Sequence, residues 1–176
     1  MRIIGGTHRR RLIEFPDADG LRPTPDRVRE TLFNWLGQTL DGRRCLDLFA
    51  GSGALGFEAA SRGAAEVVMV ERNRLVYRNL QENIKKLGFL NVALTGEDGL
   101  EFAKQQNRPF DVIFLDPPFQ SDYLPKLLPL LVDKLAKGGM VYVESGVPFE
   151  PDGAWRVTKQ ARAGAVYYQL LQYGTV

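Results

Sequence analysis

Short apolar runs recur along the chain from Cys45 onward, each separated from the next by about the length of one helix. They are CLDLF (45–49), EVVMV (66–70), NVAL (91–94), DVIFL (111–115) and MVYVE (140–144). The runs are continuous rather than alternating, which is typical of parallel strands covered by helices on both faces. This spacing predicts an α/β protein with an open, doubly wound and mostly parallel sheet.

The two ends of the chain depart from this rhythm. Near the C-terminus, WRVTKQAR and AVYYQLLQY are separated only by a turn at residues 163–164, so we expect them to pair antiparallel at a sheet edge. Near the N-terminus, Ile3 and Ile4, a turn signal at Gly5 and Gly6, and the stretch 11–15 predict a short β-hairpin.

One amphipathic helix is predicted before the first strand. Thr24 and Pro25 suit the N-cap and the first helical position, and apolar side chains recur at helical spacing over residues 28–36. Gly37 then provides a stop signal. We expect a helix over residues 25–36.

The composition is that of a globular protein of one domain. The chain has 176 residues, of which 44% are hydrophobic and 25% are charged, so intrinsic disorder is not expected. Cys45 is the only cysteine, which excludes an intramolecular disulfide, and its place in an apolar run favours the core. No apolar run approaches the ~20 residues of a membrane span, and the N-terminus lacks a signal-peptide pattern. We expect a cytoplasmic monomer with no membrane partner.

Positive charge is concentrated at the front of the chain. Residues 1–44 carry nine arginines, no lysine and six acids, a net charge of +3, whereas the remainder sums to −1. Guanidinium groups suit phosphate, so nucleic acid becomes a candidate partner, although a merely solvated surface is the competing interpretation. The candidate RNA-binding residues are Arg2, Arg9, Arg10, Arg11 and Arg22. For His8, the sole histidine, we expect RNA contact or simple exposure.

A glycine-rich loop follows the first strand. Gly51 and Gly53 allow a tight turn and the close approach of a ligand, and Gly56 permits close packing of helix on strand. Glu71, at the end of the second strand, is placed to accept hydrogen bonds from a ribose. NAD and S-adenosylmethionine both carry such a ribose, and a loop that only shapes a turn is the third interpretation.

Asp47 favours one of these ligands. A carboxylate beside the loop is an unfavourable neighbour for a pyrophosphate, whereas S-adenosylmethionine has an ammonium group, a cationic sulfur and no phosphate. The sequence therefore favours S-adenosylmethionine over NAD. Asp98, beyond the third strand, is a candidate acceptor for the adenine amino group with the Gly99 amide beside it, but capping the next helix is almost as good an explanation.

The fourth strand runs directly into Asp116-Pro117-Pro118-Phe119. Two prolines remove backbone donors and leave mainly acceptors, so Asp116 and the Pro117 carbonyl are candidates to grip an amino group conjugated to an aromatic ring. Phe119 would stack on that ring. Catalysis would then consist mostly of positioning the amine against the methyl donor, with Asp116 or water taking the proton afterwards. A rigid turn plugged by Phe119 is the structural alternative.

Together these motifs make the chain resemble the class I S-adenosylmethionine-dependent methyltransferases, specifically the RsmD-type 16S rRNA guanine-N2 methyltransferases. The most specific matches are RIIGG (2–6), LRPTPDRVRETLFNWL (21–36), DLFAGSGALGFEAASRGA (47–64) and DPPF (116–119). One stretch departs from the family pattern: Arg10 and Leu12 stand where a glycine and a lysine are usual, so we expect the RNA contacts of this segment to differ in detail.

The resemblance implies a Rossmann-like fold with a seven-stranded sheet, an N-terminal hairpin extension over residues 1–20 and a methyltransferase domain over 21–176. It implies transfer of a methyl group to the N2 amine of one guanine, of the guanine-966 type, in 16S rRNA of the small ribosomal subunit or an assembly intermediate. S-adenosylmethionine is the expected cofactor and no metal is expected. The implied cofactor residues are Asp47, Ala50, Gly51, Ser52, Gly53, Glu71, Arg72, Asp98 and Gly99, and the implied catalytic residues are Asp116, Pro117, Pro118 and Phe119.

Three alternatives stay open on sequence grounds. The same chemistry can act on an adenine or cytosine amine in DNA or on a protein glutamine. The other two alternatives are an NAD-dependent oxidoreductase and a non-catalytic RNA-binding module.

Overall fold

The computed structural model of the chain describes residues 1–18, 21–118 and 122–174. The strands are β1 (Arg44–Asp47), β2 (Glu66–Val70), β3 (Val92–Thr95), β4 (Phe110–Leu115), β5 (Leu135–Ser145), β6 (Trp155–Ala163) and β7 (Val166–Tyr173). The helices are α1 (Asp26–Leu36), α2 (Ala54–Ser61), α3 (Arg74–Leu87), α4 (Gly99–Gln105) and α5 (Tyr123–Leu131), and a 3-10 turn (Val132–Lys134) follows α5.

All seven strands form one sheet in the order β3-β2-β1-β4-β5-β7-β6. Strands β1 to β5 pair in parallel, which confirms the predicted doubly wound arrangement. Strand β7 pairs antiparallel with both β5 and β6, so the predicted antiparallel pair lies at one edge of the sheet. No helix among the described residues is long and apolar enough to cross a membrane.

The sheet is covered by an apolar layer on each face. Because successive strand residues point to opposite faces, Phe114 of β4 packs in the layer of α1, α2 and α3, whereas Ile113 and Leu115 pack in the layer of α4 and α5. Cys45 is fully buried in the first layer, as predicted, and this burial raises the pKa of its thiol to about 12. The continuous apolar runs of the sequence therefore correspond to strands buried from both sides.

Helix α1 begins one residue later than predicted, and its cap was assigned wrongly. Pro25 is the capping residue and has an extended ψ of 152°, so Thr24 lies one residue too far away to bond the first turn. The Thr24 hydroxyl instead donates to Glu144 on β5 at 3.4 Å. Thr24, which was expected to cap α1, thus connects the start of that helix to strand β5.

The N-terminal segment forms less regular structure than the predicted hairpin. Its antiparallel pairing is a single bridge between Arg2 and Leu12. Ile3 and Ile13 are each 1% exposed and pack in the layer of α1 to α3. Gly6 has a φ of +80°, and a Cβ atom there would lie 1.8 Å from the Ser61 carbonyl oxygen. The segment is therefore docked closely onto α2.

Glu58 of α2 is the anchor of this segment. Its two carboxylate oxygens accept from the backbone amides of Ile4 and Gly5, each at 2.9 Å. They also pair with Arg29 at 3.2 Å and Arg62 at 2.8 Å. Since the side chains of Glu58 and Arg29 are fully buried, this network joins the segment to α1 and α2 through charged groups that water does not screen.

His8 also packs against the body of the protein, which corrects the expectation of simple exposure. Its ring stacks on Phe89 with 4.1 Å between centroids, and its Nε2 lies 2.7 Å from the Leu87 carbonyl oxygen.

Replacing Glu58 with Gln is expected to destabilise the fold by about 3 to 5 kcal/mol, because two buried arginines lose their counter-charge and one acceptor oxygen becomes an NH2 donor that faces other donors. Urea denaturation measures this loss, and amide hydrogen exchange at Ile4 and Gly5 should accelerate. The control is Glu66→Gln, which removes a more exposed ion pair with Arg44 and should cost less than about 1 kcal/mol. Equal losses in the two variants would contradict the anchoring role of Glu58.

Candidate functional site

An acidic residue stands at or just beyond the carboxyl end of each of the five parallel strands. In sheet order these are Asp98 after β3, Glu71 after β2, Asp47 at the end of β1, Asp116 after β4 and Glu144 near the end of β5. Parallel strands bring their carboxyl ends to one edge, which is where open α/β sheets bind ligands. We call these five residues the acidic edge.

Strand register explains why three of these acids face the same way. Asp47 is the register partner of Phe114, which is in turn the partner of Tyr142. Asp116 and Glu144 each lie two residues further along, and positions two apart share a face of the sheet. The carboxyl groups of Asp47, Asp116 and Glu144 are therefore directed towards the face that carries α1 to α3.

The glycine loop wraps around Asp47. The amide of Gly56 donates to Asp47 Oδ2 at 3.0 Å, and a Cβ atom at residue 56 would approach that oxygen to 3.1 Å. Gly53, with a φ of +88°, precedes α2, and a side chain there would meet the Phe57 ring at 2.4 Å. Gly53 thus permits the tight turn and Gly56 the close packing of helix on strand that the sequence predicts.

Burial dominates the electrostatics of Asp47. The residue is 2% exposed, and this burial, with the negative charges of Glu71 and Glu144, raises the pKa of its carboxyl group to about 7. Hydrogen bonds from Gly56 and Phe49 oppose the rise without cancelling it. A bound cation would relieve the same unfavourable charge, so the position is suited to a positively charged ligand.

Glu71 holds the other side of the loop. Its Oε1 accepts from the Gly51 amide at 3.0 Å and its Oε2 from the Asn73 amide at 2.9 Å. Ala50 and Ser52, which flank Gly51 in the loop, are buried. The sequence-predicted residues from Asp47 to Gly53 and Glu71 are therefore brought together at one place.

Asp98 and its neighbours lie at the next strand end. The Asp98 carboxylate caps α4 by accepting from the Glu101 amide at 3.3 Å and also accepts from the Tyr123 hydroxyl at 3.1 Å. Gly99 is tightly packed, since a Cβ atom there would lie 2.8 Å from the Leu48 carbonyl oxygen. The capping role considered for Asp98 is thus present. The exposed Arg72 side chain extends towards it, with 3.9 Å between the charged atoms.

The Asp-Pro-Pro loop begins beside Glu144. Asp116 is partly buried, Pro117 is buried and Pro118 is exposed, while Phe119 lies outside the described residues. Burial, followed by the charge of Glu144 and hydrogen bonding to its side chain, raises the pKa of Asp116 well above its usual value. Burial also raises the pKa of Glu144.

Glu144 and its partners were not predicted from the sequence. The Tyr142 hydroxyl donates to Glu144 Oε1 at 2.6 Å, and Thr24 donates to the same oxygen at 3.4 Å. The signal was the acid that closes the apolar run MVYVE, in the position that Asp47 and Asp116 take relative to their own strands.

The candidate RNA-binding arginines are all exposed. Arg2 donates to the Arg10 carbonyl oxygen at 2.8 Å, and Arg10 has a φ of +71°, so the loop that carries Arg9 to Arg11 has a fixed turn. Among the described residues, no carboxylate pairs with Arg9, Arg10, Arg11 or Arg22.

A second group of arginines lines a shallow cavity of about 440 Å³ next to Glu71. It consists of Arg72, Arg74 and Arg78, with Tyr77 between them on α3. Arg74 and Arg78 were not predicted as site residues from the sequence, although their i, i+4 spacing places them on one face of a helix.

Replacing Asp47 with Asn is expected to stabilise the protein more and more as the pH rises from 5 to 7. The folded chain retains a proton on Asp47 up to about pH 7, whereas the unfolded chain releases it near 3.8, so wild-type stability falls over that interval. Asn has no proton to lose. The gain at pH 8 should be roughly 2 to 4 kcal/mol. Chemical denaturation of both proteins at several pH values measures it, and parallel curves would contradict the burial argument.

The chain is similar to a known protein family, to named methyltransferases and to solved structures. A family model described as "Conserved hypothetical protein 95" matches residues 1–172. The chain is 43% identical to "Ribosomal RNA small subunit methyltransferase D" of Escherichia coli K12, over 98% of this chain and 89% of that protein. It is 37% identical to "Putative rRNA methyltransferase YlbH" of Bacillus subtilis, over 82% of each. The solved structure of "Putative methyltransferase yhhF" from Escherichia coli matches with a TM-score of 0.90, 42% identity, and coverage of 99% of this chain and 98% of that one.

Proposed function

Because the chain belongs to the family described as conserved hypothetical protein 95, which it shares with the small subunit methyltransferase D proteins, we propose that it is an S-adenosylmethionine-dependent methyltransferase of ribosomal RNA. The observation that carries this proposal is the acidic edge, where a desolvated Asp47 stands inside a glycine loop. Relatives named as methyltransferases of small-subunit ribosomal RNA support the choice of substrate.

The residues at the loop fit the chemistry of this cofactor. Asp47 and the loop from Ala50 to Gly53 would hold the cationic methionine end, where a carboxylate next to a positive charge is favourable. Glu71 would accept from the ribose hydroxyls, and Asp98 with Gly99 would border the adenine. Bound there, S-adenosylmethionine supplies an electrophilic methyl group on a cationic sulfur.

The acceptor in this proposal is the N2 amine of a guanine in 16S rRNA. Asp116 and the Pro117 carbonyl oxygen would accept from the two N–H bonds of that amine, with Phe119 stacked on the base. These acceptors orient the nitrogen lone pair towards the methyl carbon. As the new N–C bond forms, the C–S bond breaks, and Asp116 then accepts the proton that the nitrogen loses.

Positioning provides most of the expected rate enhancement, since a conjugated amine needs orientation and desolvation more than a strong base. A guanine inside folded RNA must also be unstacked or already exposed to reach the acidic edge.

The exposed arginines of the N-terminal segment would bind RNA phosphates of the small ribosomal subunit or of an assembly intermediate. Glu58 docks this basic segment at a defined place relative to the sheet. Phosphate contacts made by the segment can therefore direct a base to the site.

Other candidates make different predictions. Methylation of DNA or of protein glutamine would keep the cofactor and change the acceptor, which assays with tritiated S-adenosylmethionine on small subunits, naked 16S rRNA and DNA distinguish. A rise in melting temperature with nicotinamide dinucleotides, and none with S-adenosylmethionine, would favour an oxidoreductase. Methyl transfer that depends on Asp116 would exclude a purely RNA-binding module.

Replacing Asp116 with Asn is expected to lower kcat for methyl transfer to unmodified small subunits by at least about 100-fold, because the acceptor geometry and the proton acceptor are both changed. Calorimetry should find the Kd for S-adenosylmethionine within about threefold of wild type, since Asp116 lies beyond the glycine loop.

The matched control is Asp111→Asn, at the other end of the same strand, where the carboxylate accepts from the Arg44 amide at 2.8 Å. This variant should keep its activity. Full activity of Asp116→Asn would refute the proposed acceptor site, and mass-spectrometric mapping of the methylated nucleotide tests the choice of guanine.

Replacing Arg9, Arg10 and Arg11 together with Ala is expected to weaken RNA binding and to reduce the slope of log K against log salt by up to about 2, because three phosphate contacts are lost. Affinity for S-adenosylmethionine should stay unchanged. Filter binding at several salt concentrations measures the slope. Replacing the exposed Lys104, Lys137 and Lys159 with Ala removes the same charge elsewhere and should change the slope much less. The same slope change in both triple variants would contradict a specific role for the N-terminal segment.

A further inference from the structure

Glu144 is a buried acid for which the proposed methyl transfer has assigned no role. It is 6% exposed, yet it forms no salt bridge with any described lysine or arginine. Its contacts are the hydroxyls of Tyr142 and Thr24 and the carboxyl group of Asp116. A carboxylate taken from water without a cation is costly, so its placement calls for a physical explanation.

The pairing of Glu144 with Asp116 follows from the register of the two strands. Leu115, the last residue of β4, is the partner of Val143 in β5, so the next residues along each strand lie side by side on one face. Two carboxyl groups form a hydrogen bond to each other only when one of them carries a proton, because two carboxylates offer acceptors alone. A direct hydrogen bond between Asp116 and Glu144 therefore requires one proton shared by the two side chains.

The groups that surround the pair favour one shared proton and one negative charge. From β1, Asp47 opposes full ionisation of the pair once it is itself ionised. From β5, the Tyr142 hydroxyl donates to Glu144, as does Thr24 from the segment before α1, and both stabilise its ionised form. From β7, Tyr168 lies beside Tyr142, with 6.5 Å between the ring centroids.

We propose that Glu144 is a positioning residue that acts through Asp116: by sharing a proton with it, Glu144 fixes the orientation and the charge of the acceptor at the Asp-Pro-Pro loop. This inference rests on the proposed methyl transfer. Tyr142 and Thr24 hold Glu144 in one orientation, and Glu144 in turn holds one side of the Asp116 carboxyl group. The other side stays available for the amine of the substrate.

The pair also accounts for the proton of the reaction. Before transfer it carries one proton and a charge of −1. Transfer breaks the C–S bond, whose electron pair stays on sulfur, and the nitrogen lone pair forms the N–C bond, which leaves the positive charge on nitrogen. Asp116 then accepts one proton from that nitrogen, the pair becomes neutral with two protons, and one proton leaves to water.

The experiment is a pH titration of the full chain, with ¹³C labels at the side-chain carboxyl carbons of Asp and Glu, followed by NMR. The Asp116→Asn and Glu144→Gln variants assign the two resonances. In the wild type we expect both to change over the same pH range, as coupled groups do. Two independent titrations would overturn the shared proton.

Two variants should move the titration in opposite directions. Glu144→Gln removes a negative neighbour, so Asp116 should titrate at lower pH. Tyr142→Phe removes a donor to the ionised form of Glu144, so the pair should titrate at higher pH. An unchanged titration in either variant would overturn the proposal, and the opposite signs separate it from a general loss of structure.

The kinetic readout is the pH profile of kcat for methyl transfer to small subunits. Glu144→Gln should lower kcat by about 10-fold to 100-fold and shift the acidic limb to lower pH, with the Kd for S-adenosylmethionine nearly unchanged. Ser145→Ala serves as the control, because that buried hydroxyl donates to the Val147 carbonyl oxygen and has no contact with Asp116. An unshifted profile in Glu144→Gln would overturn the positioning role. If no substrate is methylated at all, the proposed function fails, while the NMR titration still decides whether the proton is shared.

Discussion

Several carboxyl groups are removed from water at one edge of the parallel sheet, and the free-energy cost of their desolvation is the constraint to which the surrounding structure responds. Each acid reaches that edge because its strand ends there, and each is stabilised by a different donor. Backbone amides of the glycine loop donate to Asp47 and Glu71, an amide of helix α4 donates to Asp98, and hydroxyls donate to Glu144, which lies beside Asp116. These donors do not fully offset the desolvation of the carboxylates, and the remaining unfavourable energy favours the binding of a cationic ligand.

The elements around the acidic edge are joined by polar contacts between segments distant in sequence. Thr24 connects the start of α1 to Glu144 on β5, and Arg29 connects the same helix to Glu58 on α2. Glu58 also holds the N-terminal segment. The basic segment and the proposed catalytic edge therefore belong to one continuous packed unit, in which a phosphate bound at one place has a defined distance from the other.

Much of this arrangement was predictable from sequence, and the misses have physical causes. Continuous apolar runs predicted the strands, and the acids within or directly after these runs predicted Asp47, Glu71 and Asp116 as site residues, because burial and the end of a strand are local properties. The role of Glu144 depends on which strand lies beside β4, which the sequence does not specify locally. The cap assigned to Thr24 and the simple exposure considered for His8 were wrong for a similar reason: the partners of these residues lie far away in the chain, on β5 and at the end of α3. The roles assigned to the site residues stay predictions.

The docking of the N-terminal segment onto α2 also constrains the order in which the protein is assembled during synthesis. The Ile4 amide and its acceptor Glu58 are separated by 54 positions, so this segment is translated well before its partner on α2. At about 5 to 20 residues per second, that delay is roughly 3 to 10 s. Throughout it, Ile3 and Ile13 lack their native neighbours on α2. During that interval the two isoleucines and the neighbouring arginines form a stretch of chain whose apolar side chains are still exposed to water.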